Sequence, residues 1–216
     1  MQQLEEEIMA DIFDEIDEEL KRDRAQILWA KYGKYVISAA VAVIAAVALS
    51  QGYAAWTKSK IEQAATAYNE ALKADDIDAA LASTLPELTD GYAMLAKFRA
   101  AAAKAEAGDQ IAAEQAYLAL SADSSIDSFY QQAAVLLSVM NAADGAATAE
   151  LQARLAPLAD VAGGWQGLAL ELSAALDMKA GNRDAAKAKL EQLLDLPEIP
   201  SDLRQRAARL VNILAN

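Results

Sequence analysis

Tyr92–Leu120, YAMLAKFRAAAAKAEAGDQIAAEQAYLAL, decides the fold. Its first half is Ala-rich, shows no β-branched alternation and runs into Gly108-Asp109. A Gly at such a point supplies the left-handed residue that closes a helix. A second helical stretch follows at once. The same plan returns in Trp165–Leu194, WQGLALELSAALDMKAGNRDAAKAKLEQLL, with Gly181-Asn182 at the turn. Counted from each Gly, an Ala stands seven residues earlier (Ala101, Ala174) and five later (Ala113, Ala186), and a bulky residue nine later (Tyr117, Leu190). Small residues at those points let two helices approach closely, and the bulky one fills the space between pairs. Both stretches therefore read as one object, an antiparallel helix hairpin used twice.

The chain around these hairpins has the same texture. Turn residues divide it into expected helices at Tyr92–Ala107, Ile111–Ser121, Ser128–Ala142, Thr148–Ala159, Trp165–Ala180, Asp184–Leu194 and Ser201–Leu214, the last with Ser201 as its N-cap. A short helix is expected over Ile77–Leu85, ended by Pro86, after one over Lys58–Lys73. The fold class is all-α. Hairpins with this register resemble the tetratricopeptide repeat, which implies an irregular solenoid of helical hairpins. Lys97 and Leu170 stand where that repeat has an early aromatic, and Glu150 stands where the middle hairpin should have Ala. An ordinary helical bundle is the alternative.

Upstream lies Tyr35–Trp56, YVISAAVAVIAAVALSQGYAAW, and no charged residue occurs between Lys34 and Lys58. As a helix the run spans roughly 30 Å, the thickness of a bilayer's hydrocarbon core. Trp29, Tyr32 and Tyr35 at one end and Tyr53 and Trp56 at the other match aromatic belts at the two membrane interfaces. Lys21, Arg22, Arg24, Lys31 and Lys34 precede the run, and Lys58 and Lys60 follow it. That bias places the N-terminus in the cytoplasm. The long acidic leader and long apolar segment favour a retained signal anchor over a cleaved signal peptide, although Ala48-Leu49-Ser50 has cleavage-like spacing. The expected organisation is a cytoplasmic tail at 1–34, a transmembrane anchor at 35–56 and an exported repeat domain at 57–216.

The tail carries an amphipathic pattern over Glu5–Arg24, with Ile8, Ile12, Ile16 and Leu20 every four residues among acids. An interfacial membrane helix is normally rich in Lys and Arg, whereas this one would be repelled by anionic lipid. Contact with a protein partner and a transient helix without a role both stand as readings. The whole chain has a net charge of −13 and contains neither Cys nor His. This removes disulfides, thiol nucleophiles, thiolate metal sites and the commonest general base. No basic patch for nucleic acid is present. Acid groups such as Asp75-Asp76 and Glu5–Glu7 read as solvated helix ends and faces, and Gly163-Gly164 lacks the Lys-Ser/Thr of a phosphate loop. The expectation is a non-enzymatic protein with no cofactor and no metal.

The order of parts, with the motifs GYAAWTKSKIEQAATAYNEAL and YAMLAKFRAAAAKAEAGD and the Trp165–Leu194 hairpin, resembles the YfgM-type ancillary subunit of the SecYEG translocon. That resemblance implies a bacterial inner-membrane protein with a periplasmic domain, standing beside SecYEG and a PpiD-type membrane-anchored chaperone and receiving exported polypeptides. An envelope or cell-division scaffold and a signalling anchor acting through its tail are the alternatives. The repeat resemblance also implies a concave binding surface lined by the first helix of each hairpin. By the Gly register it takes in Leu95, Phe98, Ala102 and Glu106, and then Leu168, Glu171, Ala175, Met178 and Lys179. Neighbouring helices covering these residues is the competing reading.

Overall fold

The computed structural model describes the backbone of residues 2–143 and 145–215, with side chains from Arg22 onward. Every regular element among these residues is helical. The chain forms two compact units, Met1–Lys60 and Ile61–Asn216.

The first unit consists of helix α1, which runs over Gln2–Ala71 and so passes into the second. No Pro occurs before Pro86, and Gly33 and Gly52 are accommodated inside the helix. Within Arg22–Ala71 it is long and apolar enough to cross a membrane. A core helix of the same composition would have its side chains covered, yet Ile44 and Leu49 are 68% and 75% exposed. The aromatic residues at both ends of the run are exposed as well. Lys31, Lys34 and Lys60 each place an ammonium 5.1–6.0 Å from the ring centre of Tyr32, Tyr35 and Trp56 respectively. Ile8, Ile12, Ile16 and Leu20 fall among the side chains outside the described residues.

The second unit starts with the end of α1 and continues through α2 (Ile77–Thr84), α3 (Asp90–Glu106), α4 (Gln110–Ala122), α5 (Ser128–Met140), α6 (Thr148–Ala159), α7 (Gln166–Lys179), α8 (Arg183–Leu194) and α9 (Ser201–Ala215). Pro86 sits in a 3₁₀ turn, Leu85–Glu87, so α2 stops one residue before the expected Leu85. From α2 to α9 each helix packs on the next, α5 and α6 only lightly. The apolar core has three parts. Ala71, Leu81 and Ala96 join α1, α2 and α3. Tyr117, Leu120, Ile126 and Ala134 fill the space around α3, α4 and α5. Leu155, Leu170, Leu190 and Leu193 centre the largest part, over α5 to α9.

Gly108 and Gly181 close α3 and α7 with the same hydrogen bonds. Their φ angles are +84° and +81°, in the left-handed region where a Cβ is strained. Gly108 N–H donates to Ala105 and Asp109 N–H to Lys104; Gly181 N–H donates to Met178 and Asn182 N–H to Asp177. This is the paired bonding of a Schellman cap, which satisfies carbonyls left open at the helix end. Asp109 and Asn182 then begin the next helices. The Asp109 carboxylate accepts from Ala112 N–H at 3.0 Å, whereas Asn182 makes no side-chain cap. At α9 the Pro200 carbonyl accepts from Arg204 N–H, so the cap falls at Pro200 and Ser201 is already the first helical residue.

Candidate polypeptide-binding clefts

Ala101, Ala113, Ala174 and Ala186 are all buried, with Tyr117 and Leu190 beside them. Burial raises the Tyr117 phenol above its usual range. Its ring meets Phe98 with centroids 6.2 Å apart, so Phe98 of α3 is half-buried against the core. Of the other α3 candidates, Leu95 and Glu106 are exposed and Ala102 is half-buried. Glu106 accepts two hydrogen bonds from Arg99, both 3.0 Å. On α7, Ala175, Met178 and Lys179 are exposed, while Leu168 and Glu171 are partly covered.

Leu168 and Glu171 line a cleft. It has a volume of about 340 Å³ and is lined by Ala133, Leu136, Leu137 and Met140 of α5, by Leu168, Glu171 and Leu172 of α7, and by Trp165 and Arg206. Its surface is almost entirely apolar. Trp165 is fixed as one wall: its indole N–H donates to the Phe129 carbonyl at 2.9 Å, and its ring lies 4.8 Å from that of Phe129. Phe129 in turn meets Tyr130 edge-on at 5.6 Å. Met140 leaves 64% of its surface open at the other end. An unbranched thioether there adapts to differing apolar shapes.

A second cleft adjoins the first, since Leu168 and Arg206 line both. It lies between the 162–168 turn and the segment 196–206, with a volume of about 630 Å³. Gly167 belongs to its wall, and any Cβ there would stand 2.9 Å from Leu203 Cδ2. Arg206 governs the junction. It donates to both Glu171 oxygens at 2.8 and 3.0 Å, and to Asp202 at 2.9 Å. These carboxylates hold its guanidinium more firmly charged than usual, Glu171 foremost.

A further apolar cleft of about 300 Å³ lies between α2, α3 and α4. It is floored by Ala96, Ala100 and Ala101 and fenced by two ion pairs, Lys104–Asp78 and Lys97–Asp123. Lys97 and a Ser125 hydroxyl hold the Asp123 carboxyl down at about 2. This cleft offers no exposed aromatic or thioether. Among the described residues no acidic group is arranged to hold a metal ion.

The helix expected over Ser128–Ala142 is present as α5, but the register that equates α3–α4 with α7–α8 named no cleft residue on it. The α5–α6 connection carries a left-handed glycine, Gly145 at φ +98°, but no Ala five residues on. Glu150 occupies that position and bonds Arg154, which also reaches Glu114 of α4. An ion pair thus replaces the close Ala contact, and α6 turns its core face to α7.

The hairpins, the shared Gly caps and the buried Ala pairs agree with the family description that matches residues 27–196, the Tetratricopeptide repeat-like domain. The chain belongs to this family. No curated protein and no solved structure matches it. Tetratricopeptide-repeat-like domains are typically non-enzymatic modules that bind other proteins, and the clefts on α5, α7 and α9 have the apolar character such binding needs. The match ends at Leu196, so α9 and its Arg206 lie beyond it.

Proposed function

We propose that this chain is a single-pass inner-membrane protein, with residues 1–34 in the cytoplasm, 35–56 in the bilayer and 57–216 in the periplasm. Its repeat domain binds polypeptides beside the SecYEG translocon, together with a PpiD-type membrane-anchored chaperone. The observation that carries the reading is one chain joining an uncovered apolar helix to a tetratricopeptide-repeat-like domain with open apolar clefts. The helix fixes the domain at a membrane surface, and the clefts suit chains whose apolar residues are not yet buried. The translocon itself rests on the resemblance in the juxtamembrane and hairpin motifs.

Photo-crosslinking residues placed in turn at Tyr53, Phe98 and Met178 in living cells test this. Capture of translocon subunits at Tyr53 and of exported chains or a chaperone at the other two is expected. Crosslinks confined to cell-wall or division proteins would replace this reading by that of an envelope scaffold. A cytoplasm-dependent reporter fused after Asn216 should stay inactive; activity there reverses the topology.

A further inference from the structure

The two adjoining clefts differ in chemistry. The α5–α7 cleft is apolar, with Leu137, Met140 and Trp165 at its surface. The α7–α9 cleft is lined by Glu198, Asp202 and Arg206. Together with Glu171 of the adjoining cleft, the charged residues lining the two clefts are three carboxylates and one guanidinium. Arg206 is already engaged by two of them, Glu171 and Asp202. Glu198 is exposed and makes no ion pair among the described residues. The polar end of the surface is thus left negative, while its apolar end is neutral.

We propose that these clefts form one two-part site for a polypeptide segment in which apolar residues adjoin a Lys or Arg. The apolar residues enter between α5 and α7, and the cation stands over Glu198. This rests on the polypeptide-binding reading above and specifies which segments are chosen. Charge complementarity selects the occupant: a cation relieves the unbalanced carboxylates, whereas an acidic neighbour would face them at close range. An apolar segment without charge gains the first half only. Glu198, Asp202 and Arg206 lie beyond the part matched to the repeat family, and the facing wall at 162–168 lies within it.

The test uses the full chain in lipid nanodiscs and three labelled peptides followed by fluorescence anisotropy. All share an apolar heptad, flanked by two Lys, two Ser or two Glu. Binding in the order Lys, Ser, Glu is expected, with the Lys peptide preferred over the Ser peptide by about threefold to tenfold at low salt and the gap closing at high salt. Glu198→Lys should abolish that preference without changing the Ser peptide. Met140→Glu should weaken all three, and both positions are exposed, so folding is preserved. Equal binding of Lys and Glu peptides overturns the two-part site while leaving polypeptide binding intact. Indifference of every peptide to Met140→Glu overturns the α5–α7 cleft and the polypeptide-binding reading with it.

Discussion

The α3–α4 and α7–α8 hairpins are the same inside and different outside. Both have a left-handed Gly, a Schellman cap, buried Ala at the contact and a bulky residue one turn further on. Positions beside that contact diverge. Phe98 in the first corresponds to Glu171 in the second: one ring packs on Tyr117, and the other side chain is held by Arg206. Lys97 reaches Asp123, while its counterpart Leu170 is buried. Helix approach tolerates nothing larger than a methyl at the contact, so that register is kept. Surfaces that meet different neighbours are not bound by it.

The sharpest way to break the equivalence is to load the shared contact. Ala113→Glu and Ala186→Glu each force an unpaired charge into a fully buried position and should cost on the order of 4 kcal/mol. Thermal melting of the full chain in detergent should drop steeply for both, and a parent-like melt in either would show that the two contacts are unlike. Exchanging the bulky residues is milder. Leu190→Tyr overfills the larger core and should cost about 1–3 kcal/mol. Tyr117→Leu loses chiefly its aromatic contact with Phe98, about 0.5–1.5 kcal/mol beyond the area change. If the reciprocal exchange costs the same in both, the cores are interchangeable.

The smallest effect separates the hairpins by pH. Asp123 has no counterpart, since Leu196 stands at the matching place. Its carboxyl is lowered to about 2 in the folded chain from an ordinary 3.8, so its stabilising effect is complete above that ordinary value and is lost as pH falls through 2. Asp123→Asn should lower the melting temperature at pH 7 and converge on the parent as pH approaches 2. A difference that persists unchanged at acid pH would remove the Lys97 pairing as its cause.

Gly spacing made the matching hairpins legible because a left-handed residue leaves a mark that no other residue type carries cheaply. Charge-free length marked the apolar helix in the same way. The α5–α7 cleft left no such mark. No spacing singles out Leu137 or Met140, and Trp165 becomes a cleft wall only through its packing on Phe129. Arg206 lies 35 residues from Glu171, and only the folded path of α9 brings the two together.

Trp165 is the only tryptophan after the apolar run, since the other two are Trp29 and Trp56. Its indole is tied to a carbonyl, stacked against one ring and open to the cleft on its remaining side. With Trp29 and Trp56 replaced by Phe, the emission of the protein comes from that one wall. Occupancy of the cleft is thereby written into its colour: an apolar guest dries the indole and shifts its fluorescence to the blue, without any label on either partner.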